Sequence, residues 1–89
     1  MDFANFKNWL NNNTTYTNPT KSNIVSRLRR ANNILPITFE AVYIFNIGQM
    51  DEFKALSVNV KSQIRRAIKI YFNFLESEVT SSNEHIKKN

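Results

Sequence analysis

The chain of 89 residues has no cysteine, one glycine, two prolines and one histidine, and its seven acidic residues face twelve basic ones. Without cysteine, disulfides and zinc–thiolate sites are excluded. With one glycine, a Gly-rich phosphate loop cannot be built. So little punctuation also argues against a β-sandwich, which needs many turn residues, and in favour of helices with few tight turns. No stretch approaches the roughly 18 apolar residues of a membrane span. The opening MDFANFKNWL lacks a basic n-region and a long apolar run, so it does not read as a signal peptide. These absences lead us to expect a soluble, cytoplasmic protein of a reducing compartment. A chain this short buries only roughly 60–65% of its unfolded surface. It has room for one small domain but not for a deep cleft, so no cofactor, metal or small-molecule substrate is expected.

What is present is aromatic and basic. Seven Phe, three Tyr and one Trp can anchor a small core, since each buried aromatic removes roughly 150–250 Å² from water. The formal net charge is +5. Asn is abundant, with fourteen in the chain.

Hydrophobic spacing predicts four main helices. Phe3, Phe6 and Leu10 mark a first helix from Asp2, its expected cap, to about Asn13. The polar run Asn11-Asn12-Asn13-Thr14-Thr15 then favours a turn. Ile24, Leu28, Ala31 and Leu35 mark a second helix, with Asn18 as cap, Pro19 in the first helical position and Pro36 as terminator. A third helix is expected from Thr38 to Ile47, with Gly48 as its left-handed end residue. Its β-branched and aromatic residues also permit a strand over 41–47. Gln49 to Ala55 could add a helical turn carrying Met50 and Phe53. The fourth helix, capped by Ser57, carries Ile64, Ile68, Tyr71 and Leu75 and is expected to end near Ser77. The expected architecture is all-α: a small four- to five-helix orthogonal bundle over residues 1–76, with a polar C-terminal end or tail over 77–89.

No catalytic constellation emerges. Acid–base and nucleophilic chemistry needs ionisable groups that converge in a protected site. The single His85 lies in the polar end and reads as a solvated bystander. Asp51-Glu52 is the only adjacent acidic pair, and adjacent helical positions do not share a face. The expectation is that the chain is not an enzyme.

The cations are localised. Lys61, Arg65 and Lys69 recur every fourth residue on the fourth helix, and Arg66 lies beside them. At about 100° per residue they span an arc of roughly 140° facing away from the apolar stripe. No acidic residue interrupts Val58 to Leu75. A helix needing only solubility usually mixes both signs, whereas unmixed positive charge is the footprint of phosphate binding. An ordinary solvated face is the competing reading. The second helix carries Lys21, Arg27, Arg29 and Arg30 around its apolar face. Ser and Asn stand among them, types that contact bases and phosphates but that also occur on any polar helix.

The order of these elements resembles a known family. Phe6-Lys7-Asn8-Trp9-Leu10 resembles the F-x-x-[YW]-L opening of integrase-type modules. Thr20, Ile24 and Leu28 are spaced like that family's T-I-x-x-Y-x-x-x-L stretch. Ser57, Val60 to Arg66 and Tyr71 to Leu75 resemble its Ser-capped last helix. The chain is thus similar, over residues 3–76, to the SAM-like, N-terminal core-binding domain of tyrosine recombinases and phage integrases. The resemblance implies a helical bundle that clamps one side of duplex DNA with its second and fourth helices. Lys21, Arg27 and Arg30 would make one contact and Lys61, Arg65, Arg66 and Lys69 the other. The family's catalytic domain, with its Arg, His and nucleophilic Tyr, has no counterpart here.

Two functions stay in competition. One is a non-catalytic module for double-stranded DNA, acting in DNA recombination or a related process. The other is a small phage or mobile-element protein that inhibits or adapts a host protein, or forms a homodimer. It would use an apolar surface of Phe39, Tyr43, Phe45, Met50 and Phe53. A helix-turn-helix regulator fits poorly, because the helix after Leu35-Pro36-Ile37-Thr38 is apolar, with Glu40 as its only charge.

Overall fold

The first helix forms because Phe6 and Leu10 occupy one face, and both are fully buried. In the computed structural model, which describes residues 3–88 and the side chains of residues 3–79, this is α1, Ala4–Asn13. Phe3 stands at its N-cap position; Asp2, the expected cap, lies outside the described residues. The polar run ends the helix: Asn13 Nδ2 donates to Trp9 O at 2.9 Å and Thr14 Oγ1 to Leu10 O at 2.7 Å. Both side chains fold back onto the end of the helix, where the Leu10 carbonyl also accepts from Thr14 N at 3.1 Å.

α2 is Asn18–Ile34. It begins one residue earlier than the sequence led us to expect. Thr17, not Asn18, is the cap, its side chain accepting from Thr20 N at 3.4 Å. Pro19 falls within the first turn, where its missing N–H is harmless. Ile24, Val25, Leu28 and Ala31 are buried. Pro36 ends the helix through its effect on the preceding residue: Leu35 is extended, at φ −150° and ψ 119°.

The third element departs most from expectation. Thr38 caps nothing, and residues 38–42 form turns, with Tyr43 N donating to Glu40 O at 3.0 Å. Helix α3 is only Tyr43–Gly48, and no strand forms among the described residues. The connection after α2 is fixed by side chains. Asn32 Oδ1 accepts from Ile37 N at 3.0 Å, and the Tyr43 hydroxyl donates to Leu35 O at 2.6 Å. Gly48 is helical rather than left-handed, and no described residue has positive φ. The chain turns directly into α4, Asp51–Lys54, which buries Phe53.

α5 is Val58–Lys88. Ser57 caps it as expected, its hydroxyl oxygen accepting from Val60 N at 3.3 Å. The helix does not end near Ser77 but continues for a further three turns. At about 1.5 Å per residue it spans roughly 46 Å, which accounts for the 49 Å long axis of the molecule. Ile64, Ala67, Ile68, Tyr71 and Phe74 are its buried residues. Phe74, rather than Leu75, continues the stripe because it meets α1, where its ring lies 5.5 Å from that of Phe6 and 5.8 Å from that of Trp9.

The result is a small all-α bundle, five helices among the described residues. Its centre is α2 against α5. α1 closes one flank through Phe6, which meets Tyr71 edge-on at 5.1 Å. The short α3 and α4 close the other flank through Tyr43, Ile47 and Phe53. No helix among the described residues is long and apolar enough to cross a membrane.

Candidate nucleic-acid interface

Because α5 is covered on both flanks, its cations are sorted by what packs beside them. Arg65 and Arg66 are adjacent, so they point about 100° apart. Arg65 turns toward α4, where its guanidinium lies 5.2 Å from the centroid of the Phe53 ring. That distance is within cation–π range. Arg66 turns toward α2 and enters a groove of about 220 Å³.

This groove is the meeting place of the two basic helices. From α2 it takes Arg27, with Thr20 and Ile24. From α5 it takes Arg66, with Gln63, Ala67 and Ile70, and Tyr16 closes one end. Its floor is apolar and its rim carries two guanidinium groups, a hydroxyl, an amide and a phenol. A guanidinium is a planar fork suited to phosphate. Arg30, Arg65, Arg66 and Lys69 are exposed, and Arg27 and Lys61 are half-buried. No carboxylate of the described residues pairs with any of these six.

The seven expected DNA-contact residues therefore do not form two simple rows. Arg27 and Arg66 converge across the groove. Lys61, Arg65 and Lys69 follow the other side of α5. Lys21 is displaced: it points toward α1, where its Nζ donates to Asn11 Oδ1 at 2.9 Å. It lines a separate recess with Lys7, a residue that sequence spacing missed because its partner lies on another helix. Tyr16 and Gln63 were missed for the same reason.

The expected apolar surface is corrected in part. Tyr43 and Phe53 are 1% exposed and belong to the core, and Met50 is half-buried against it. Phe39, Val42 and Phe45 do reach the surface, at 50%, 54% and 68% exposure. The Phe39 ring leans on Phe72, 5.4 Å away.

Burial pushes the Tyr43 hydroxyl up to about 12 and raises that of Tyr71. Neither is activated as a nucleophile by such a shift. Among the described residues no polar or charged side chain other than these tyrosines is buried, and no group of His, Cys, Asp and Glu could hold a metal ion. The side chain of His85 lies outside the described residues. A recess of about 550 Å³ is lined by Asn12 and Asn13 at the end of α1 and by Thr14 to Tyr16 after it, and offers no charged group.

No family model matches the chain, and neither the curated proteins nor the solved structures provide a match.

Proposed function

We propose that this chain is a non-catalytic, cytoplasmic module that binds double-stranded DNA through phosphate contacts, in the manner of an integrase core-binding domain. One observation carries the reading: Arg27 of α2 and Arg66 of α5 meet in a single groove. α2 and α5 pack through their apolar faces, and the groove beside that seam carries a guanidinium from each helix. Lys61, Arg65, Lys69 and Arg30 extend positive charge beyond it, without acidic neighbours on α5 between Val58 and Leu75. The spacing resemblance to the SAM-like family, with its clamp of second and last helices, supports the same assignment.

Such binding draws its free energy from counterion release and weakens as salt rises. The test is fluorescence anisotropy with a short duplex at about 50 and 200 mM salt. The expected result is affinity at low salt that collapses at high salt. An Arg27→Ala/Arg66→Ala variant should lower the slope of log affinity against log salt by about 2. Absence of binding at low salt, or an unchanged slope in the variant, refutes the reading.

A second reading keeps the exposed Phe39, Val42 and Phe45 as a surface for a protein partner or a second copy. Its support is their exposure alone. Light scattering of the wild type beside a Phe39→Ser/Phe45→Ser variant tests the second-copy form.

A further inference from the structure

We propose that the recess between α1 and the start of α2 is a phosphate-binding site, held by the ammonium groups of Lys7 and Lys21. The recess has a volume of about 200 Å³ and is lined by Lys7, Asn11, Asn18, Lys21 and Ser22. Two of these are cations, three are neutral hydrogen-bonding groups, and none is a carboxylate or an apolar side chain. This differs from the α2–α5 groove, whose floor is apolar.

The placement of Lys21 is specific. It is half-buried, and its Nζ is drawn to Asn11 Oδ1 at 2.9 Å. An ammonium has three N–H donors, so two remain for a ligand. Lys7, exposed on α1, lines the same recess and adds a second positive charge to it. Lys21 also occupies the fourth position of α2, near the positive end of the helix dipole, where a cation is disfavoured. No acidic residue in the first turn offsets it. An anion is the ligand that relieves all of these terms together.

Phosphate fits better than a carboxylate. Lysine binds phosphate as a point charge, whereas a planar carboxylate is best matched by the Arg fork. A tetrahedral group accepts hydrogen bonds from several directions. Here the donors come from two helices: Lys7 on α1, and Lys21, Ser22 and the Asn18 amide on α2.

The inference deepens the DNA-binding reading and rests on it only for the origin of the phosphate. Lys21 and Arg27 are six residues apart, so they lie about 9 Å apart along α2 and about 120° apart around it. A duplex engaged at Arg27 and Arg66 would find in the recess a second anchor about a third of a turn around α2. Free phosphate would use the same atoms.

The experiment follows amide shifts of the full chain under titration with inorganic phosphate, with sodium chloride at matched ionic strength as reference. Duplex binding is measured in parallel for the wild type and for Lys7→Gln/Lys21→Gln. Saturable shifts at Lys7, Asn11, Asn18 and Ser22, abolished in the double variant, support the site. If the variant also lowers the salt slope of duplex binding by about 2, the phosphate is that of the DNA backbone. If phosphate saturates the recess and the duplex does not bind at all, the site stands with free phosphate and the DNA reading falls. If phosphate produces no more than the chloride shifts and the variant leaves duplex binding unaltered, the proposal is overturned, whatever Arg27 and Arg66 do.

Discussion

The hydroxyl of Tyr43 donates to the carbonyl of Leu35 at 2.6 Å and lies 3.4 Å from that of Ala31. A residue at the start of α3 thereby closes the end of α2, where helix geometry leaves carbonyls without partners. The Ala31 carbonyl already accepts from Leu35 N at 2.9 Å, so Leu35 is the one that depends on Tyr43. Tyr43→Phe keeps the ring in the core and removes only the donor. The expected cost is about 1–2 kcal/mol, seen as a lower urea midpoint with an unchanged m-value. In a domain of this size each kcal/mol corresponds to roughly 4–8 °C in Tm. A midpoint equal to that of the wild type contradicts the tether.

The same hydroxyl sets a pH dependence. An unfolded Tyr titrates near 10, and burial pushes Tyr43 up to about 12. Between those values the unfolded chain has released the proton and the folded chain still holds it. Stability is therefore complete below about pH 10 and falls as pH rises toward about 12. Burial raises Tyr71 too, so Tyr43→Phe should reduce the decline without abolishing it. Urea midpoints at about pH 9 and pH 11 measure the difference. An equal decline in wild type and variant rejects this account.

Neighbouring arginines should behave as opposites. Arg65 stacks over Phe53, an arrangement worth about 0.5–1 kcal/mol at an exposed site. Arg66 stands in the groove, which Tyr16 closes at one end, and among the described residues it makes no cation–π contact. Arg65→Ala should lower the thermal midpoint, and Arg66→Ala should leave stability within about 0.5 kcal/mol of the wild type. Duplex affinity should fall in both. Equal stabilities would show that the Phe53 contact contributes nothing.

Much of this structure was legible from spacing. Phe6 and Leu10, Ile24 and Leu28, and Ile64 and Ile68 mark faces at the helical period, and each pair is buried in the core. Ser57 announced the start of α5 correctly. The segment 36–55 was read less well, because long-range bonds decide it. Asn32 reaches Ile37 and Tyr43 reaches Leu35, and no periodicity records such contacts. The candidate interface divides in the same way. Spacing along one helix gives the angle of each cation, which located the Lys61–Lys69 row. It does not say what packs on either flank. That is why Arg65 and Arg66 part company, why Lys21 turns from Arg27 toward Asn11 of α1, and why Tyr43 and Phe53 proved to be core.

Two phenylalanines eight residues apart test that last distinction. Phe53 is 1% exposed and carries Arg65 on its ring; Phe45 is 68% exposed and stands on the outer side of α3. Removing the Phe53 ring by Phe53→Ala should cost about 3–5 kcal/mol, as core Phe truncations do. Phe45→Ser should change stability by no more than about 0.5 kcal/mol. It should also leave duplex affinity and its salt slope unchanged, because Phe45 carries no charge and does not line the α2–α5 groove. Urea denaturation and anisotropy measure the two properties separately. A Phe45→Ser variant that loses several kcal/mol would place Phe45 in a buried contact. If the loss shrank as both proteins were diluted, that contact would be with a second copy, since a self-associating chain loses stability on dilution.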